Sequence, residues 1–261
     1  MTRPGTISEL SSVAREAALQ TGEMLMENYD RDFSISKKGR VNLVTDIDLK
    51  AEEMIIGKIR RRFPDHQILA EERGSREGTS DHKWIIDPLD GTTNYAHGFR
   101  FFCISIALEV AGDLVLGVIY DPVTKELFTA EKGMGAFLNN QPIRVTEENN
   151  LIDSLLTTGF SYDSEEMKRN LVFFGRVMLN ARAVRRPGSA ALDLCYVACG
   201  RFDGYWEVSL NPWDIAAGTL IVREAGGRVT KLDGSECTAY DREILASNGG
   251  IHEALMELLG E

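Results

Sequence analysis

The chain has 261 residues, 43% of them hydrophobic, which suits one large domain or two closely packed halves. Its formal net charge of −11 argues against a nucleic-acid-coating role, which relies on Lys and Arg displacing counterions, and against adhesion to anionic membranes. An anionic substrate would need something other than net charge to draw it in, and a bound cation is the obvious means. The opening "MTRPGTISELSS" lacks the apolar core of a secretory leader, and no stretch approaches the ~20 apolar residues of a membrane span. Cys103, Cys195, Cys199 and Cys237 form no C-x-x-C pair and have no histidines at zinc spacing, so they read as reduced thiols. A soluble cytoplasmic setting is the expectation.

Thr6 and Glu9 match a capping box, and Ile7, Leu10, Val13, Ala14, Ala17, Ala18 and Leu25 follow at helical spacing, predicting a helix that ends near Asn28. A short strand over 33–36 leads into the basic turn "KKGR". Thr45 and Asp48 can cap a second helix carrying Ala51, Met54, Ile55 and Ile59, which stops before Pro64. From 101 to 145 the runs "FFCISIALEV", "LVLGVIY", "ELFTA" and "GAFL" alternate with turn signals, predicting an antiparallel meander. Beyond about 150 the pattern alternates: strand near 154–158, helix near 164–180, strand near Ala183, helix over 189–199 stopped by Gly200. Then come the strand "DGYWEV", the helix "NPWDIAAGTLIVREAGG", the strand "EILASN" and a helical tail over 251–259. Such an order implies stacked helical and sheet layers. The softest boundary lies at 145–152, dividing an N-terminal α+β half, 1–148, from a C-terminal α/β half, 149–261, packed as one unit.

Where chemistry concentrates is "WIIDPLDGTTNYAHGF". An apolar run that reads as a core strand gives way to Asp87, Pro88, Leu89, Asp90, Gly91 and Thr92. Acids flank turns and caps constantly because their oxygens take backbone N–H groups. Asp87, however, follows a run that should be buried, where an unpaired carboxylate is costly, and two acids there repel unless a cation lies between them. Hard divalent ions take oxygen ligands in this way. Glu71 and Glu72 in "LAEERG" follow another short apolar run. Asp214 in "NPWD" falls in the first turn of a helix if Asn211 is the N-cap and Pro212 the first helical residue, where a carboxylate also suits the dipole. On spacing alone, capping and cation binding both stay open.

Longer motifs narrow the reading. "WIIDPLDGTTNYAHGF" resembles the first signature of the inositol monophosphatase family, and "PWDIAAGTLIVREAGG" its second. "RRPGSAALDLCYVACGRFDGYWE", "LVTDIDLKAEE" and "AEERG" are similar to the intervening segments, so the resemblance covers nearly the whole chain from about residue 7. It implies a mixed α/β fold, the layered αβαβα sandwich of the inositol monophosphatase and fructose-1,6-bisphosphatase type, and Mg²⁺-assisted hydrolysis of a phosphate monoester. In that family pattern Glu71, Asp87 and the Leu89 carbonyl hold a first Mg²⁺; Asp87, Asp90 and Asp214 hold a second. Glu71 helps hold a third, near the loop carrying Lys37, so two to three ions are implied. Thr92 and Glu71 orient and deprotonate the attacking water. Gly91 and Thr92 open a short helix toward the phosphate, and Asp90, Ser189, Ala190, Glu207 and Asp214 border the substrate. The resemblance also implies a homodimer and inhibition by Li⁺.

The chain departs from the vertebrate enzymes at Arg186, Pro187 and Ser189, beside the implied pocket. His97 is expected to stand clear of the substrate, and Arg185 to serve as a structural or interface ion-pair partner, with a substrate role as the alternative. Within the superfamily, inositol 1-phosphate is the leading expectation, with fructose 1,6-bisphosphate, histidinol phosphate and 3′-phosphonucleotides as alternatives; this compact chain shows no inserted loops for a larger ligand. A haloacid-dehalogenase-type enzyme would need a nucleophilic Asp two residues before Asp90, where Pro88 stands. A non-catalytic binding module would be expected to lack one of these ligands, and all are present.

Overall fold

The computed structural model describes residues 5–29, 35–37 and 43–260, with side chains for all of these except 35–37 and 43–45. Residues 38–40 of the predicted turn and the side chain of Lys37 lie outside the described residues. Helix α1 (Ile7–Asn28) opens on the expected box: the Thr6 hydroxyl accepts the Glu9 N–H at 3.3 Å, and the Glu9 carboxylate accepts the Thr6 N–H at 2.9 Å. Strands β1 (Ile35–Lys37) and β2 (Leu43–Thr45) form a small antiparallel pair ahead of α2 (Asp46–Arg62). On α2, Asp48, Ala51, Ile55 and Ile59 share one buried stripe.

The next strands, β3 (Gln67–Ala70), β4 (Gly74–Arg76) and β5 (His82–Asp90), precede the short α3 (Thr92–Ala96). Then follow β6 (Cys103–Val110), β7 (Asp113–Asp121), β8 (Glu126–Glu131), β9 (Ala136–Leu138) and β10 (Gln141–Ile143). They form one eight-stranded sheet in the order β10-β9-β8-β7-β6-β5-β3-β4, with the meander antiparallel and β3 parallel to β5. The remaining chain runs β11 (Leu155–Thr158), α4 (Ser164–Met178), β12 (Ala183–Arg185), α5 (Ala190–Ala198), β13 (Gly204–Val208), α6 (Pro212–Glu224), β14 (Arg228–Thr230), β15 (Glu243–Ser247) and α7 (His252–Leu259). Its sheet has five strands in the order β12-β11-β13-β15-β14.

Alternation along the strands builds the layers. On β5, Trp84 and Ile86 pack with Leu25, Ile55 and Ile59 under α1 and α2, while Ile85 faces Ala191, Leu194, Ala217 and Ile221 of α5 and α6. On β13, Tyr205 joins that middle layer, while Trp206 packs with Phe173, Val177 and Leu255 beneath α4 and α7. Helices α5 and α6 therefore lie between the two sheets, giving the layered αβαβα sandwich. Asp87, two residues beyond Ile85, and Glu207, two beyond Tyr205, both look into the middle layer at its open edge. Trimming a wholly buried side chain here, such as Ile86→Ala, would cost about 2–5 kcal/mol.

Candidate active site

The acids of β5 stand on a bulge rather than after the strand's end. Pairing with β6 is regular as far as Asp87↔Ser105, and the next pair is Asp90↔Cys103, so β5 spends one residue more than its partner. The sequence reading, which broke the strand at Asp87, is corrected: register with β6 decides where the strand ends. Pro88, without an N–H, is tolerated at such a bulge. Asp87 is 2% exposed and its Oδ1 accepts the Leu89 N–H at 2.9 Å. Gly91 follows with φ 101° and caps α3; a Cβ there would stand 2.9 Å from the Phe101 carbonyl oxygen.

Two other elements deliver acids to the same place, and β5 itself supplies a second. Glu71 directly follows β3, and its N–H donates to the Ile86 carbonyl at 3.2 Å, prolonging the alignment with β5. Asp90 ties β5 to α5: its Oδ2 accepts the Ser189 hydroxyl at 2.6 Å and the Ala191 N–H at 2.7 Å. Asp214 lies in the first turn of α6, as predicted, with Oδ2 accepting the Asn211 N–H at 2.7 Å. One oxygen of each of these three aspartates is thus engaged by a backbone N–H.

The electrostatics are one-sided. Burial, reinforced by Glu71, Asp90 and Asp214, pushes the Asp87 carboxyl well above the ordinary range. Asp214 is raised well above it too, by burial and then by Asp90. Burial lifts Asp90 to about 6 against the opposing bonds from Ser189 and Ala191. Among the described residues no Lys or Arg forms an ion pair with Asp87, Asp90 or Asp214. Nor, among them, is any group of three His, Cys, Asp or Glu drawn in to metal-ligand spacing. Bringing like charges of this kind together takes a cation. The chemistry of the set fits a hard divalent ion: all-oxygen, net negative and sunk in low dielectric.

The acids line a cavity of about 350 Å³. Glu71, Asp87, Leu89, Asp90, Gly91, Thr92, Ser189, Ala190, Glu207 and Asp214 all border it, so every sequence-predicted site residue except Lys37 is brought together there. Ser189 is also the N-cap of α5, accepting the Leu192 N–H at 3.4 Å. Burial lifts Glu207 to about 7, against a hydrogen bond from Tyr205. The "RRPGS" turn is fastened to α3 by Asn94, whose Nδ2 donates to the Pro187 carbonyl at 2.9 Å. Arg186 and Arg242 add positive charge to the lining, whereas His97 is exposed at the end of α3. The Arg185 guanidinium donates to the neighbouring Val184 carbonyl at 3.3 Å.

Sequence reasoning missed one partner. The Thr92 hydroxyl proton has two acceptors in reach, Asp48 Oδ1 at 2.9 Å and the Leu89 carbonyl at 3.1 Å. Asp48, read as a helix cap, is wholly buried. The signal was available: an aspartate standing in the apolar stripe 48, 51, 55, 59 must face a partner inside the protein.

Comparison with known proteins agrees with this construction. The model of the inositol monophosphatase family matches residues 6–261. An inositol-1-monophosphatase of Synechocystis sp. is 45% identical over 260 residues, covering 98% of this chain and 90% of that protein. A Nus factor SuhB of Pasteurella multocida is 45% identical over 245 residues, 92% of each chain. The crystal structure of extragenic suppressor protein suhB from Bartonella henselae superposes with a TM-score of 0.93 at 41% identity, covering 97% of this chain and 99% of that one. Fold, acidic cavity and relatives define a phosphoric monoester hydrolase. Within that class, the chain belongs to the inositol monophosphatase family.

Proposed function

We propose that this protein hydrolyses a small polyol monophosphate, inositol 1-phosphate foremost, with two to three Mg²⁺ held by Glu71, Asp87, the Leu89 carbonyl, Asp90 and Asp214. The observation that supports this is the cluster of buried carboxylates raising one another's pKa at the wall of a cavity. Mg²⁺, when bound, supplies the charge that polarises the phosphoryl group and acidifies a water molecule. Thr92 sends its own proton toward Asp48 and so turns an Oγ1 lone pair outward. A water proton taken by Thr92 Oγ1 can pass along that 2.9 Å bond to Asp48. Glu71, across the cavity, aligns the same water. Gly91 and Thr92 meet the phosphoryl oxygens at the start of α3, and Asp90, Ser189, Ala190 and Glu207 border the hydroxylated leaving group. A cytoplasmic homodimer inhibited by Li⁺, with Lys37 on a loop beside the ions, completes the reading. Among the described residues no helix is long and apolar enough to cross a membrane.

Arg186 and Arg242 favour a second reading, in which the cavity also admits a second anionic group, as in fructose 1,6-bisphosphate. Phosphate release with Mg²⁺ from inositol 1-phosphate, fructose 1,6-bisphosphate, histidinol phosphate and 3′-phosphoadenosine 5′-phosphate separates these outcomes. The highest kcat/KM is expected for inositol 1-phosphate. Release from none of the four overturns the proposal.

A further inference from the structure

The geometry points to Tyr205 and Gly159 as positioning residues that set selectivity for a hydroxylated leaving group, by fixing the carboxylate of Glu207. This rests on the reading of Glu207 as a polyol contact. Tyr205 and Glu207 are two residues apart on β13, so both side chains face the middle layer. The Tyr205 ring is wholly buried, and its hydroxyl donates to Glu207 Oε2 at 2.7 Å. From the other side, a Cβ on Gly159 would stand 2.0 Å from Glu207 Oε2 and 2.3 Å from Oε1. The carboxylate fills the room that any larger residue at 159 would take.

Gly159 is itself held in place. Asn170 of α4, wholly buried, donates its Nδ2 to the Gly159 carbonyl at 2.5 Å. Its Oδ1 accepts the Trp206 Nε1–H at 2.8 Å. The slot therefore has walls from β13, from the chain after β11 and, through Asn170, from α4. Glu207 Oε1 has no hydrogen-bond donor among the described residues and borders the cavity. A leaving group that brings an O–H there pairs this half-buried oxygen, whereas one without a hydroxyl covers the acceptor and leaves it unmatched. Such a mismatch discriminates more strongly than added attraction does.

The test compares kcat/KM for inositol 1-phosphate with that for p-nitrophenyl phosphate, both with Mg²⁺, in wild type, Tyr205→Phe and Gly159→Ala. Each variant is also made in a Glu207→Ala background. Either single substitution is expected to lower the ratio of the two kcat/KM values about tenfold, through KM for inositol 1-phosphate, as loss of one charged hydrogen bond does. Neither is expected to lower it further once Glu207 is absent, because coupled residues are non-additive. Equal losses on both substrates, or a loss that persists without Glu207, overturn the positioning role. An active wild type whose variants keep the ratio overturns that role alone. A wild type that hydrolyses neither phosphate overturns the functional reading, and this inference with it.

Discussion

The strands flanking β6 each carry an Asp–Pro step: Asp87–Pro88 on the bulge of β5 and Asp121–Pro122 where β7 ends. Both aspartates are buried, and burial raises the pKa of each. Each also uses Oδ1 to hold the backbone just ahead, Asp87 the Leu89 N–H at 2.9 Å, Asp121 the Val123 and Thr124 N–H groups at 2.8 and 3.1 Å. The difference is in what distant segments bring. Asp87 meets Glu71, Asp90 and Asp214, all of its own sign. Asp121 has Glu126 as its acidic neighbour, and Glu126 is itself paired with Arg201. Local chemistry bends the chain at both; what sets Asp87 apart is the convergence of like charge from other segments.

Substitutions can break or sharpen that contrast. Asp87→Asn should lower kcat for inositol 1-phosphate at least about 10³-fold if Asp87 holds the proposed ion, since several kcal/mol of transition-state charge stabilisation would depend on it. The same change should leave the melting temperature of metal-free protein unchanged or raised, because it removes a repelled buried charge. A variant that keeps its activity erases the distinction between the two steps. Asp48→Asn, which takes the proton acceptor from Thr92, should lower kcat about 10²-fold, the usual share of a positioned base. Steady-state kinetics in which KM alone moves would deny Asp48 that part.

Acidity gives the next effect. Asp90 is lifted to about 6 from 3.8 and Glu207 to about 7 from 4.5, so the folded, metal-free chain keeps protons that the unfolded chain has released. Stability from this source is present at low pH and is lost as pH rises through the window from about 4 to 7. Thermal melts in a chelator should show the melting temperature falling across that window, and Mg²⁺ should restore it most at the alkaline end. A flat profile would leave the crowded carboxylates without energetic consequence. The smallest effect belongs to the control: Asp121→Asn keeps an Oδ1 that can accept the Val123 and Thr124 N–H groups, so denaturant unfolding should move by no more than about 1 kcal/mol, with kcat within about twofold of wild type.

Much of the fold was legible because its signals are local. Asn211, Pro212 and Asp214 start a helix whatever surrounds them, and Gly226, with φ 85°, ends it. The meander likewise declared itself through period-two runs and turn residues. Short strands such as β4 and β14 did not, since three residues acquire strand character only from the neighbour they pair with. The bulge at Pro88 stayed hidden for the same reason, being a mismatch of count between β5 and β6. The acids were found through their motifs, but the role of Asp48 depends on α2 lying over β5, and the Glu207 slot on the end of β11 meeting β13. What sequence withholds is which remote segments meet.

The most direct measurement is phosphate release from inositol 1-phosphate as Mg²⁺ is titrated into metal-stripped protein, run side by side for wild type and Asp87→Asn. If the carboxylates of β5, the residue after β3 and the first turn of α6 gather a divalent ion, the wild-type rate rises from near zero to a plateau and the variant's stays flat. Wild-type turnover that is undiminished in chelator, or a variant that responds to Mg²⁺ as wild type does, would contradict it.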